Sequence, residues 1–241
     1  MDRKNFGDTR DLFTFDLVRH VMKADRAFES FTFVPMLTGT GEGSREKKSA
    51  GKNLTRAKKD GKAGSQNQDL VALMEHLQEI GNDPEYFQHI GGYFKKERIF
   101  PNILCELDFS HQDRTRYFKQ ILTQIPKKSL ILLDPGIGLE ENRPTEKHLL
   151  FDEVKLIANH MDGRSALMIY QHLAREKRDD YISQRCTRIS HITGINPLVI
   201  ADNENIFFFL AKNQKLMAEM EGVLERYANS YPLLISCMNA T

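Results

Sequence analysis

The sequence predicts an α/β fold: a Rossmann-like, mostly parallel sheet with helices on both faces and a C-terminal antiparallel hairpin. Three observations carry that reading. Short apolar runs of strand length, Leu130 to Leu133 and Ala166 to Tyr170, alternate with amphipathic stretches of helical period. The first of these runs stops at Asp134-Pro135-Gly136 and the second runs into Gln171-His172, so strand ends carry turn-forming or chemically capable side chains. Two late runs, Leu198 to Ile200 and Ile206 to Leu210, are joined by a short polar turn, the pattern of a hairpin.

With 241 residues the chain can bury a full core, and residues 1–241 are read as a single domain. A hydrophobic share of 40% beside 28% charged residues is that of a soluble globular protein. The net charge of +1 gives no global attraction to nucleic acid or membrane, so any basic partner surface must be local. Cys105, Cys186 and Cys237 stand far apart without metal-ligand spacing, which predicts neither a disulfide framework nor a zinc site, and a reduced cytoplasmic setting. No apolar run reaches membrane-span length, and the opening MDRKNFGDTRD is too charged for a signal peptide.

Taken in order, Asp11 to Met22 places Leu12, Phe15, Val18 and Met22 on one helical stripe, after a Gly7-Asp8-Thr9 turn with two candidate N-caps. Phe31 to Leu37 is β-branched and aromatic and reads as a strand, with Pro35 demanding an edge or a bulge. The glycines of Thr38 to Gly43 would let the backbone approach a ligand closely, although they equally suit the start of a loop. From Ser44 to Gln68 almost nothing is apolar, so a flexible loop is expected. Arg45, Lys47, Lys48, Lys52, Arg56, Lys58, Lys59 and Lys62 outnumber its acids, a composition that suits RNA or DNA as well as plain solvation.

A helix over Asp69 to Ile80 ends at Gly81, and the aromatic stretch Asn82 to Phe100 shows no clear period. Ile103 to Asp108 reads as a strand with two acids near its end, followed by a helix over Asp113 to Ile125 and the strand Leu130 to Leu133. After the polar turn Glu141 to Pro144, a helix is expected from Thr145 or Glu146 to His160. Ala166 to Tyr170 is the next strand, Glu176 to Ser190 a charged helix, and Asn213 to Tyr227 the last amphipathic helix.

In this order the elements resemble the sheet of class I S-adenosylmethionine-dependent methyltransferases. More narrowly, they resemble the ribosomal-RNA adenine methyltransferases that modify an exocyclic amino group. The chain also resembles an uncharacterised prokaryotic family sharing Gly7-Asp8, Asp134-Pro135 with Gly138-Leu139-Glu140, and Tyr170-Gln171-His172 with Arg175. The methyltransferase resemblance implies S-adenosylmethionine as cofactor, with its amino-acid part at Gly39, Gly41 and Gly43. It implies the ribose at Glu106, with Asp108 as substitute, and the target amine at Asp134 and Pro135. Three departures accompany it: Gly136-Ile137 replaces the second proline and the aromatic residue, no room exists for the strand expected between Glu106 and Asp134, and Thr38 stands where an acid would precede the glycines.

Two other readings stay open at this level. Asp134, Glu140, His172 and Arg175 could serve a phosphoesterase or nuclease, with Mg or Mn on Asp134 and Glu140, Arg175 gripping phosphate and His172 as general base. A non-catalytic binding module on the same sheet is the third, since fold does not fix function.

Overall fold

A computed structural model describes residues 6–24, 28–37, 54–80, 85–105, 109, 111–173, 177–231 and 234. Six strands form the main sheet: β1 (Ser30–Val34), β2 (Pro101–Ile103), β3 (Ser129–Leu133), β6 (Ala166–His172), β7 (Leu198–Ala201) and β8 (Asn205–Ala211). The spatial order is β2-β1-β3-β6-β8-β7, and β4 (Gly138–Leu139) pairs separately with β5 (His148–Leu149). Neighbours from β2 to β6 are parallel, while β8 runs antiparallel to both β6 and β7. One strand of six is therefore reversed, and the expected α/β class holds. The hairpin is also there, with one refinement: β8, the second strand of the pair, lies inside the sheet and β7 takes its edge.

The sheet is buried on both sides because its strands are apolar on both faces. Phe31, Phe33, Leu130, Leu132 and Met168 point to a layer made by α1 (Thr9–Ala24), α3 (Gln68–Ile80), α4 (Glu85–Lys96) and α8 (Gln214–Asn229). Ile131, Leu133, Leu167, Ile169 and Phe208 point to α5 (Arg114–Gln124), α6 (Phe151–His160) and α7 (Arg178–Thr193). Within the sheet, the buried hydroxyls of Thr32 and Ser129 face each other at 2.7 Å across the β1/β3 pair, so the two polar positions satisfy one another.

Several elements differ from the sequence expectation. The segment 44–68 is not one loop: 44–53 lie outside the described residues, Leu54–Lys59 form α2, and Leu54, Ala57 and Ala63 are buried. Three well-spaced small or branched apolar side chains anchor it despite its charge. The stretch 82–100 contains α4, whose buried Tyr86, Phe87, Ile90, Tyr93 and Phe94 follow helical spacing with aromatic residues in place of leucines. The strand expected over 103–108 is instead Pro101–Ile103. Pro101 costs no ladder hydrogen bond on an edge strand, which is where β2 lies. The helix expected from Thr145 begins at Phe151, because Lys147 and Leu149 spend their carbonyls on Ile137 and Glu140 in the β4/β5 pair. β1 stops before Pro35, as proline requires of an interior strand.

Candidate functional site

The chain passes from β1 to β2 on one side and returns to β3 on the other, so the sheet reverses direction of growth between β1 and β3. Beyond the carboxyl ends of strands at such a reversal lies the crevice where open α/β sheets hold ligands. Asp134 ends β3 there, with its backbone N–H on the Val34 carbonyl at 3.0 Å. Its side chain is buried, as is Pro135.

The start of α1 meets the same place. Asp8 caps the helix: its Oδ1 accepts from the backbone N–H groups of Arg10 at 2.8 Å and Asp11 at 3.2 Å, and its Oδ2 accepts from Arg10 Nε at 2.8 Å. Asp11 Oδ2 accepts from the Gly7 N–H at 2.7 Å and the Tyr86 hydroxyl at 2.9 Å. Gly7 is required for this turn, since its φ is 75° and an added Cβ would lie 2.9 Å from the Met74 carbonyl oxygen. Arg10 also hydrogen-bonds the Tyr170 side chain, and Tyr170 donates to Asn205 Oδ1 at 3.2 Å.

Burial sets the electrostatics. It pushes the Asp134 carboxyl up to about 6, with nearby Arg10 drawing it down and Asp8 adding to the rise. Asp11 is driven well above the ordinary carboxylate range by burial and then by the charges of Asp8 and Asp134. Asp8 is raised by burial too, against the pull of Arg10. For Arg10 burial works against the charge, but Asp8 and Tyr170 outweigh it and the guanidinium is held above its usual range. His172 is lowered by burial and by Arg10, against Glu204 and Asp202. Arg10 thus acts electrostatically on both Asp134 and His172, two of the residues predicted from the sequence.

The loop after Asp134 is held by Gln171, which is buried at the end of β6. Its Oε1 accepts from the Leu139 N–H at 2.7 Å, and its Nε2 donates to the His172 carbonyl at 2.7 Å and the Ile137 carbonyl at 3.4 Å. The His172 N–H adds a bond to the Ile137 carbonyl at 2.9 Å. Tyr170-Gln171-His172 and Asp134 to Leu139 are therefore one unit, joined through a carboxamide.

Glu140 has other partners. Its carboxylate accepts from Arg188 Nη2 at 3.0 Å and its carbonyl from Arg185 Nη1 at 2.6 Å, both from α7 on the opposite helical layer from α1. Among the described residues no group of three or more His, Cys, Asp or Glu side chains gathers to hold a metal. Gly39, Gly41, Gly43, Glu106, Asp108 and Arg175 lie outside the described residues. Asp8, Arg10, Asp11, Tyr86 and Asn205 were not expected as site residues. The available signal was Asp11 itself, an acid standing beside the apolar stripe of a helix that proves buried on nearly every side. None of the described helices is long and apolar enough to cross a membrane.

Compared with known proteins, the chain matches no protein-family profile and no curated sequence.

Proposed function

We propose that the chain is a methyltransferase-like protein that binds S-adenosylmethionine and acts on an amino group, with a nucleic acid as the substrate class. The observation that carries the reading is Asp134, buried just past the tip of β3 where the strand order reverses, with a carboxyl raised to about 6. The surroundings suit such a cofactor: burial holds Asp8, Asp11 and Asp134 toward their protonated forms, with Asp8 adding to the rise at the other two, and a ligand bearing a sulfonium and an ammonium would favour their ionised forms. When bound, the cofactor supplies a methyl group activated by its positive sulfur.

Asp134 accepts a hydrogen bond from the N–H of the incoming amine at Oδ1 or Oδ2, which keeps the nitrogen lone pair directed at the methyl carbon. For transfer to balance, the sulfur–methyl bond would break and the demethylated thioether would leave as the nitrogen gained the methyl group, and the same Asp134 oxygen would take the amine proton, for which a carboxyl near 6 is basic enough at neutral pH. Arg10, fixed by Asp8 and Tyr170, limits how far burial can raise Asp134. Gly39, Gly41, Gly43, Glu106 and Asp108 are the positions the resemblance assigns to the cofactor. Nucleic acid is favoured by α2, where Arg56, Lys58 and Lys59 lie close in sequence to Lys62, and Lys62 pairs at 3.1 Å with Glu204 beside His172.

Calorimetry with S-adenosylmethionine and its demethylated product tests the cofactor, and transfer of a labelled methyl group to total RNA tests the reaction. Binding by both the wild type and Asp134→Asn, with transfer lost in the variant, is the expected pattern. Failure of either ligand to bind at millimolar concentration overturns the reading.

A further inference from the structure

Away from this crevice, α3 and α4 follow each other through residues 81–84 and pack side by side, with a cleft of about 570 Å³ between them. Asp69, His76, Gln88, His89, Lys96 and Glu97 are among its lining residues. His76 is exposed, His89 is half-buried, and their rings lie 4.9 Å apart between centroids at an interplanar angle of 90°.

We propose that His76 and His89 form a two-imidazole chelate for a divalent transition ion of the zinc type. Bonds of about 2.0–2.1 Å from a tetrahedral zinc to two imidazole nitrogens put the ring centres about 5 Å apart, which is the separation already present. Turning each ring about its own side-chain bonds to aim a nitrogen at the ion completes the site. Imidazole nitrogen is the ligand type that selects zinc, copper and nickel over magnesium and calcium, so the pair identifies the class of ion. Two protein ligands leave the remaining positions to water, and the open cleft has room for it.

The chelate ties together two helices that both support the start of α1. Gln78 of α3 donates to the Gly7 carbonyl at 2.6 Å, and Tyr86 of α4 donates to Asp11 at 2.9 Å. A bound ion therefore braces the capping turn from the outside, without touching the crevice. The inference stands apart from the methyl-transfer reading and survives if that reading fails.

The test is titration of the full chain, freed of metal by a chelator, with zinc chloride and separately with nickel chloride, followed by calorimetry and thermal unfolding. One ion per chain is expected, with a rise in the unfolding temperature, and about tenfold weaker binding in each of His76→Gln and His89→Gln. His191→Gln, at an exposed site on α7, should bind as the wild type does. Where the half-buried His89 variant loses stability, exposed His76→Gln carries the comparison. Wild-type affinity in His76→Gln, or no binding at about 100 µM metal, overturns the proposal and reduces the pair to an edge-to-face ring contact.

Discussion

Gly138 and Gln171 exclude any larger neighbour from the space between them: a Cβ added at Gly138 would sit 2.3 Å from Gln171 Nε2, and the glycine already holds a φ of 139°. The loop bearing Asp134-Pro135 is seated on β6 by that contact. Gly138→Ala should destabilise the chain by about 3 kcal/mol, from left-handed backbone strain plus the clash. Gln171→Ala, which strands the buried Leu139 N–H, should cost about 1–3 kcal/mol. Urea midpoints with unchanged slopes would report both, and the double variant should fall short of the sum because losing the carboxamide makes room for the methyl group.

Asp134 should make the folded state less stable as pH rises. Burial holds its carboxyl at about 6 against an ordinary 3.8, so between those values the folded chain keeps a proton that the unfolded chain has released. Stability is lost across that window, by roughly 3 kcal/mol in all. Asp134→Asn removes this term, so its stability relative to wild type should climb from about pH 4 to about pH 6.5 and then level off. A difference that stays constant across the range would show that Asp134 is not held up by burial.

Arg114 and Glu153 join α5 to α6 through two bonds of 2.6 Å, with both side chains about nine-tenths buried. Arg114→Met leaves a buried carboxylate without its partner and should cost about 3–5 kcal/mol. Adding Glu153→Leu should recover most of that loss. Chemical unfolding of the two variants separates a buried pair that is costly to break from one that is intrinsically strong.

Tyr86→Phe removes the hydroxyl that donates to Asp11 while keeping the ring stacked 3.9 Å from Phe6. The lost donor favoured the charged carboxylate, so Asp11 should titrate at higher pH in the variant, and the chain should be about 1–2 kcal/mol less stable. Carboxyl-carbon NMR across a pH series reads the first effect and denaturant unfolding the second.

Sequence periodicity revealed what apolar spacing controls: the parallel strands, the β7–β8 turn and most helices. It failed where another force ruled. In α4 the buried face is built from Tyr86, Tyr93 and phenylalanines, so its helical period was hidden among polar neighbours. The β4/β5 pair rests on hydrogen bonds made across the loop after Asp134, which no local pattern announces. For the site, Asp134 and His172 could be read because they follow strand runs. Arg10, Asp11 and Tyr86 could not, because they arrive from helices brought to that point only by packing against the sheet.

Asp16 in the first helix accepts hydrogen bonds from the hydroxyls of Tyr227 at 2.9 Å and Tyr231 at 3.1 Å, partners 211 and 215 residues away along the chain. While the polypeptide is still emerging from the ribosome, this carboxylate has only Asn67 of its three donors within reach. The helix bearing Asp16 therefore cannot complete these bonds until Tyr227 and Tyr231 have been made, which favours a slow step in its docking. Chains cut short before Tyr227 would leave that acid and its apolar neighbours uncovered, an open target for proteolytic clearance.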